Sequence, residues 1–273
     1  LLGYAVDSWK KNTDLTLSEV TLMGSFFPLL MAGPVVKGED FSRRVRESDM
    51  SWDNAINGCL IFAIGFLKIF FLDDVLDELT TTGINRTEVT GIIITALLST
   101  LRLYVSLSSF ADMGRGVARA FGIQVTPSFL PVFFARNPSD FWERWNHTVA
   151  GWFREYLVFP SLLKWGRKIP ANLIVFIAFL ILGLWHGFDI EWVVFGVFNG
   201  LMVVLGSMAR RSLGEYFGRI LVLIMIFGNG YIHIAGDLPD HLGTSGTNIG
   251  VGFYLALAAF FFLEWVQERK NER

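Results

Sequence analysis

Apolar residues in this chain gather into blocks about as long as a helix that crosses a bilayer, roughly 20 residues. Blocks with few charges lie near 55–72, 91–110, 170–188, 191–208, 217–235 and 249–266. The composition agrees: hydrophobic residues make up 52% of the 273 residues and charged residues only 18%, against roughly a quarter in a typical globular domain. Twenty-six Phe and nine Trp are more than a soluble core of this size would bury. These features exclude a disordered chain, a secreted disulfide scaffold and a soluble nucleic-acid binder. They predict an all-α, multi-pass transmembrane bundle embedded in a lipid bilayer.

A formal charge of −2 sets up no global field toward acidic or basic partners, nucleic acid included. The lone Cys59 lies in an apolar run and is expected to be a packed, inert thiol, with no intrachain disulfide open to it. The chain opens on LLGYAVDSWKK without an initiator Met. We read 1–273 as one membrane-embedded domain, the C-terminal portion of a longer protein.

Two departures from simple spans stand out. The run 20–36 is apolar, but Pro28 and Pro34 interrupt it; each removes a backbone donor, so a broken or re-entrant helix is expected. In 140–160, Phe141, Trp145, Val149, Trp152, Phe153 and Tyr156 recur at helical spacing. Ser139 or Asp140 would cap one continuous helix and Pro160 would stop it. Such a helix either lies at the membrane interface or dips into the bundle with its polar face lining a cavity. Lys and Arg crowd every second connection, which assigns 37–50, 111–169, 209–219 and 267–273 to the cytoplasm.

Polar residues inside apolar stretches carry the functional information. His186 ends the run LIVFIAFLILGLWHG. It is either a packing residue bonded to a carbonyl or a general base, since burial favours the neutral imidazole that accepts a proton. Gly183 and Gly187 flank it and admit another helix or a substrate close to the backbone. Asn146 and His147 are further candidates; His233 lies near an outer boundary and His241 in a polar loop. No HExxH, no His pair at i, i+4, no Walker loop and no Gly-x-Ser-x-Gly occurs, so no metal site, phosphate cradle or nucleophile elbow is expected.

Four stretches, in order over most of 20–200, resemble the membrane-bound O-acyltransferase family. SFFPLLMAGPVVKGEDF (25–41) is similar to FFPQ-x-x-AGPI-x-R-x-x-x-F. YVSLSSFADMGRGVARAFGI (104–123) resembles Y-x-D-F-S-G-Y-S-D-M-A-x-G-x-A-R-x-x-G, matching at Ser108, Asp112, Met113, Gly116, Ala118, Arg119 and Gly122. DFWERWNHTVAGWFREYL (140–157) resembles FWRRWH-x-S-L-x-x-W-x-R-D-Y-L, and GLWHGFDIEWVVFGVFNG (183–200) resembles GLWHG-x-x-W-x-x-x-x-G-x-x-H-G. Asn146 stands where bacterial members have His and eukaryotic members commonly have Asn; Asn199 replaces a later family His.

The resemblance is nearest to the bacterial branch that modifies cell-surface polymers, residing in the cytoplasmic membrane. It implies a bundle curved around a central cavity, and acyl transfer from a cytoplasmic thioester, acyl-CoA or an acyl-carrier protein, to a hydroxyl of a polysaccharide or similar acceptor. No bound cofactor is implied, and an extracytoplasmic accessory acyltransferase is an implied partner. His186 would act as general base, with Asn146 positioning substrate or intermediate. His147, Arg144, Ser108 and Asp112 are the further candidates for substrate binding, though Arg144, with Trp142 and Trp145, also suits a structural or channel-lining role. D-Alanyl transfer to teichoic acid is the nearest alternative. A transporter, suggested by breaks at Pro28, Pro34 and the Gly-Asn-Gly at 228–230, and a catalytically silent subunit are the others.

Overall fold

The computed structural model describes residues 2–9, 15–30, 33–81, 88–209 and 214–236. The expected span 249–266, the basic tail 267–273, Arg210, Arg211 and His241 lie outside the described residues. Within them the fold is helical throughout. Short helices α1 (Leu2–Trp9), α2 (Leu17–Ser25), α3 (Phe27–Leu30) and α4 (Gly38–Arg46) precede α5 (Trp52–Leu67). α5 runs through a π-helical turn, Lys68–Asp73, into α6 (Asp74–Thr81). Then come α7 (Val89–Ala120), α8 (Pro138–Arg144), α9 (His147–Phe153), a second π turn at Arg154–Val158, and α10 (Phe159–Trp165). The last three are α11 (Ala171–His186), α12 (Ile190–Ala209) and α13 (Gly214–Gly236). Four helical segments are long and apolar enough to cross a membrane: Trp52–Thr81, Val89–Ala120, Ile190–Ala209 and Gly214–Ile234. α11 is equally apolar but shorter.

The 32-residue α7 is the axis of the bundle. Tyr104 and Val105 on it are each 1% exposed, in a core shared with Phe129, Val132, Phe141 and Met225. With lipid as solvent, apolar attraction alone does not hold helices together, so close backbone approach must do so. α5 and α7 meet through small residues. A Cβ on Gly58 would fall 2.5 Å from Ala120 N, and one on Gly65 2.7 Å from the Ser109 carbonyl. α7 ends on Gly122, whose φ of 78° is the left-handed conformation that favours glycine. Gly122 N–H bonds Arg119 O and Ile123 N–H bonds Ala118 O, closing the helix in a Schellman motif.

Antiparallel packing gathers like connections at one end. Arg44 reaches the Gln124 carbonyl, and the Gly122 turn lies against Asp49. Arg136 lies by Glu215 at 3.8 Å, and Pro138 against Gly206. The described parts of the basic connections assigned together by charge therefore share an end of the bundle, while Asp73 and Asp77 pair with Arg102 farther along α7.

Three expectations change. The connection expected to begin at residue 111 starts only after Ala120, because α7 continues two more turns and more beyond its apolar block. Cys59 is exposed on α5 rather than packed, since in a membrane protein the apolar face can look outward into lipid. Gly228 and Gly230 do not break a helix: α13 is continuous across them, with Gly228 seated against the Phe198 ring and Gly230 against the Ala96 carbonyl. The break in 20–36 is as expected. α2 ends at Ser25, α3 is a single turn, and Pro28 packs its carbonyl against Gly114 of α7.

Candidate active site

The 140–160 segment does not form one helix. Asn137 caps α8, its side chain accepting from Asp140 N–H at 3.0 Å, with Pro138 in the first turn. The helix stops at Arg144, and Asn146 takes φ 43°, ψ 54°, the one non-glycine positive φ among the described residues. Tertiary bonds replace the helical ladder at this corner. Leu130 N–H donates to Arg144 O at 3.0 Å, and His147 N–H donates to Ser128 O. Thr148 Oγ1 meets Ser128 Oγ at 3.2 Å and accepts from Val35 N–H at 3.1 Å. Pro160 does not stop the helix that follows but sits in the first turn of α10. Left-handed backbone costs a side chain about 1–2 kcal/mol, least for Asn, Asp and His. Those tertiary bonds hold the corner in this conformation and so fix the backbone from which Asn146 projects. The side chain of Asn146 makes no hydrogen bond among the described residues.

The corner does not lie flat at the bundle surface. α8 starts beside Gly206, near the end of α12, and travels inward until Trp142 packs edge-on against Phe195 (5.9 Å) and Phe179 (5.3 Å). α8 packs into the bundle through Phe141 and Trp142, whereas no residue of α9 is buried. Trp142 Nε1 is buried there without an acceptor.

Phe195 is also 6.0 Å from His186, so α8 and His186 flank one ring. His186 stacks on Trp192 at 4.8 Å and 19°, with Trp185 edge-on at 4.9 Å. From the α9 side, Phe153 touches Trp185 at 6.1 Å. Neither nitrogen of His186 is engaged in a hydrogen bond among the described residues, so the carbonyl-bonded packing role is not what the geometry offers. The ring is exposed rather than enclosed. Only Gly187, Phe188 and Asp189 join α11 to α12, and Phe188 is 89% exposed, leaving His186 uncovered.

The remaining candidates divide into two groups. Arg144 bonds Asp140 at 2.7 Å and the Pro131 carbonyl at 3.0 Å, and His147 donates from Nδ1 to Glu143 O at 3.0 Å. Both brace the Asn146 corner. Ser108 and Asp112 lie on α7, facing Lys68. Lys68 Nζ lies 2.9 Å from Asp112 Oδ2 and 3.4 Å from Ser108 Oγ, and Arg115 adds a second cation 3.3 Å from Asp112. Sequence reasoning passed over Lys68, although a single cation in FLKIFF was the available signal. It also passed over Trp192 and Phe195, which no polar group distinguishes. Below the corner, Tyr156 donates to Asp7; burial first, and then that carboxylate, hold its phenol protonated above the usual range. Among the described residues no three His, Cys, Asp or Glu gather as a metal site would need.

An uncommitted imidazole on an aromatic cluster that α8 also reaches through Trp142 suits acid–base chemistry on a hydroxyl. Comparison with known proteins bears on which chemistry. The model of the MBOAT, membrane-bound O-acyltransferase, family matches residues 12–219. A probable alginate O-acetylase of Pseudomonas syringae is 24% identical over 87% of this chain and 48% of its own length. The peptidoglycan O-acetyltransferase of Helicobacter pylori is 28% identical over 80% of this chain and 42% of its own. The teichoic acid D-alanyltransferase of Bacillus subtilis is 23% identical over 70% and 52%. The chain spans about half the length of these relatives.

Proposed function

From a chain that belongs to the membrane-bound O-acyltransferase family, we propose an acyltransferase that moves acetyl or a similar group onto a hydroxyl of an extracytoplasmic polymer such as a polysaccharide. The donor is a cytoplasmic thioester, acyl-CoA or acyl-carrier protein, and the enzyme resides in the bacterial cytoplasmic membrane, working with an extracytoplasmic accessory acyltransferase. The observation that carries this reading is the free imidazole of His186, which is held by rings and committed to no hydrogen bond.

His186 accepts the proton of the acceptor hydroxyl as its oxygen attacks the thioester carbonyl. The carbonyl oxygen takes up negative charge in the tetrahedral intermediate, toward which the uncommitted amide of Asn146 donates. The C–S bond then breaks, and the leaving thiolate takes the proton back from His186. The ester is formed and the thiol released, with atoms and charge balanced. His147 and Arg144 keep the corner in place. Ser108 and Asp112 hold the π turn after α5 against α7 through Lys68.

The test is transfer from a radiolabelled thioester to polymer by the purified full-length protein. Label appearing as base-labile ester, lost with His186→Ala, supports the reading. Absence of transfer from every thioester would favour a silent subunit. D-Alanyl transfer to teichoic acid is a second reading, favoured by the Bacillus relative; a D-alanyl-loaded carrier protein as the active donor would select it.

A further inference from the structure

We propose that Trp192 is a positioning residue for His186, an inference that rests on His186 being the base. With no hydrogen bond to fix it, the imidazole has only its ring contacts to set the direction of its lone pair. Of these, Trp192 makes the one stacked contact, at 4.8 Å and 19°. The edge contacts from Trp185 and Phe195, at 64° and 79°, close the sides.

The backbone is cut to fit that indole. A Cβ on Gly187 would lie 2.5 Å from Trp192 Cδ1 and 2.8 Å from Nε1. One on Gly183 would lie 2.3 Å from the Trp192 carbonyl. Both glycines flanking His186 therefore make room for the same residue, one for its ring and one for its backbone. Trp192 is fixed in turn by its N–H bond to Asp189 O at 3.1 Å, in the first turn of α12. The stack does two things for a base. It removes the swing of a side chain with two free torsions, and it lays the negative face of the indole against the charge that imidazole takes on. A misplacement of about 1 Å in a reacting group can cost 10²-fold in rate.

The experiment uses the full-length protein. Trp192→Leu should lower kcat about 10- to 100-fold with KM for thioester and acceptor unchanged, and Trp192→Phe, which still stacks, should retain most of the activity. A second readout needs no turnover: carbethoxylation of His186 by diethyl pyrocarbonate, followed on the His186 peptide by mass spectrometry. It should change severalfold in Trp192→Leu and stay near wild type in Trp192→Phe. Wild-type kcat together with wild-type labelling in Trp192→Leu overturns the proposal, as does an effect confined to KM. If the wild-type protein transfers no acyl group, the function reading fails while the labelling still decides the role of Trp192. Should Trp192→Leu not accumulate, Gly187→Ala, which displaces the indole from the other side, carries the same two expectations.

Discussion

Asn199 and Asn229 exchange amide hydrogen bonds across the α12–α13 interface, Asn199 Nδ2 to Asn229 Oδ1 at 2.7 Å and Asn229 Nδ2 to Asn199 Oδ1 at 3.1 Å. Asn199 also donates to the Phe195 carbonyl at 2.9 Å and is fully buried. Interhelical bonds of this kind in membranes average about 0.6 kcal/mol and reach about 1.7 kcal/mol. A double-mutant cycle with Asn199→Ala and Asn229→Ala, read by reversible unfolding in mixed micelles, should give a coupling near 1 kcal/mol. Additive single mutants would show that the pair contributes no joint stability.

Lys68 and Asp112 are 10% and 17% exposed in their side chains and lie in helices apolar enough to span a membrane. Removing one partner of a buried pair leaves a charge uncompensated, at roughly 3–5 kcal/mol. Lys68→Met should cost about 3 kcal/mol, toward the lower end because Arg115 still faces Asp112. The double change Lys68→Met with Asp112→Leu should recover much of that loss. Thermal unfolding in detergent measures both, and a double mutant no better than the single would count against an ion-pair origin.

For the chemistry, rank order is the measurement. His186→Ala should abolish transfer at near-normal abundance, since general-base catalysis is worth about 10²–10⁴-fold. Asn146→Ala should be milder, because an amide orients but takes no proton at neutral pH. It should also lose about 1 kcal/mol of stability to the left-handed backbone. Asn146→His should fold normally, since His is among the side chains that accept this conformation, and should keep measurable activity. Asn146→Gly separates the two effects: the backbone is relieved, and the loss of rate that remains belongs to the amide.

Glu19 supplies a pH dependence away from the membrane-spanning helices. Its carboxylate accepts from Ser42 first, then from the Thr16 backbone and hydroxyl and from Arg46, which hold its pKa down to about 2. A depressed folded pKa gives stability that is fully present above the ordinary value of 4.5 and lost as pH falls from there toward 2. Amide protection factors of Leu17–Ser25 should therefore drop between about pH 4.5 and pH 2, the window set by that shift. Glu19→Gln should flatten the change; the same pH dependence in that variant would assign it to another group.

Four of the spans were legible because their apolar length answers directly to bilayer thickness, and His186 drew attention because a polar side chain amid LIVFIAFLILGLW has few neighbours to hide among. The corner at Asn146 was not. Its local pattern favours a continuous helix, and only hydrogen bonds from 128–130 and Val35, distant in sequence, override that preference. The Lys68–Asp112 pair spans 44 positions, beyond any helical spacing. Cys59 misled for a different reason: apolar surroundings mean interior in water but permit exposure in lipid.

The three-residue connection between α11 and α12 has a mechanical consequence. At one end Asp189 caps the turn into Trp192 and Val193; at the other, Ser207 donates to Asn172 at 3.3 Å. A hairpin stitched at both ends has no slack with which to hinge. His186 and Trp192 therefore sit together on one stiff arm. Its contact with the Trp142 face of α8 is made of ring edges, with no hydrogen bond across it among the described residues.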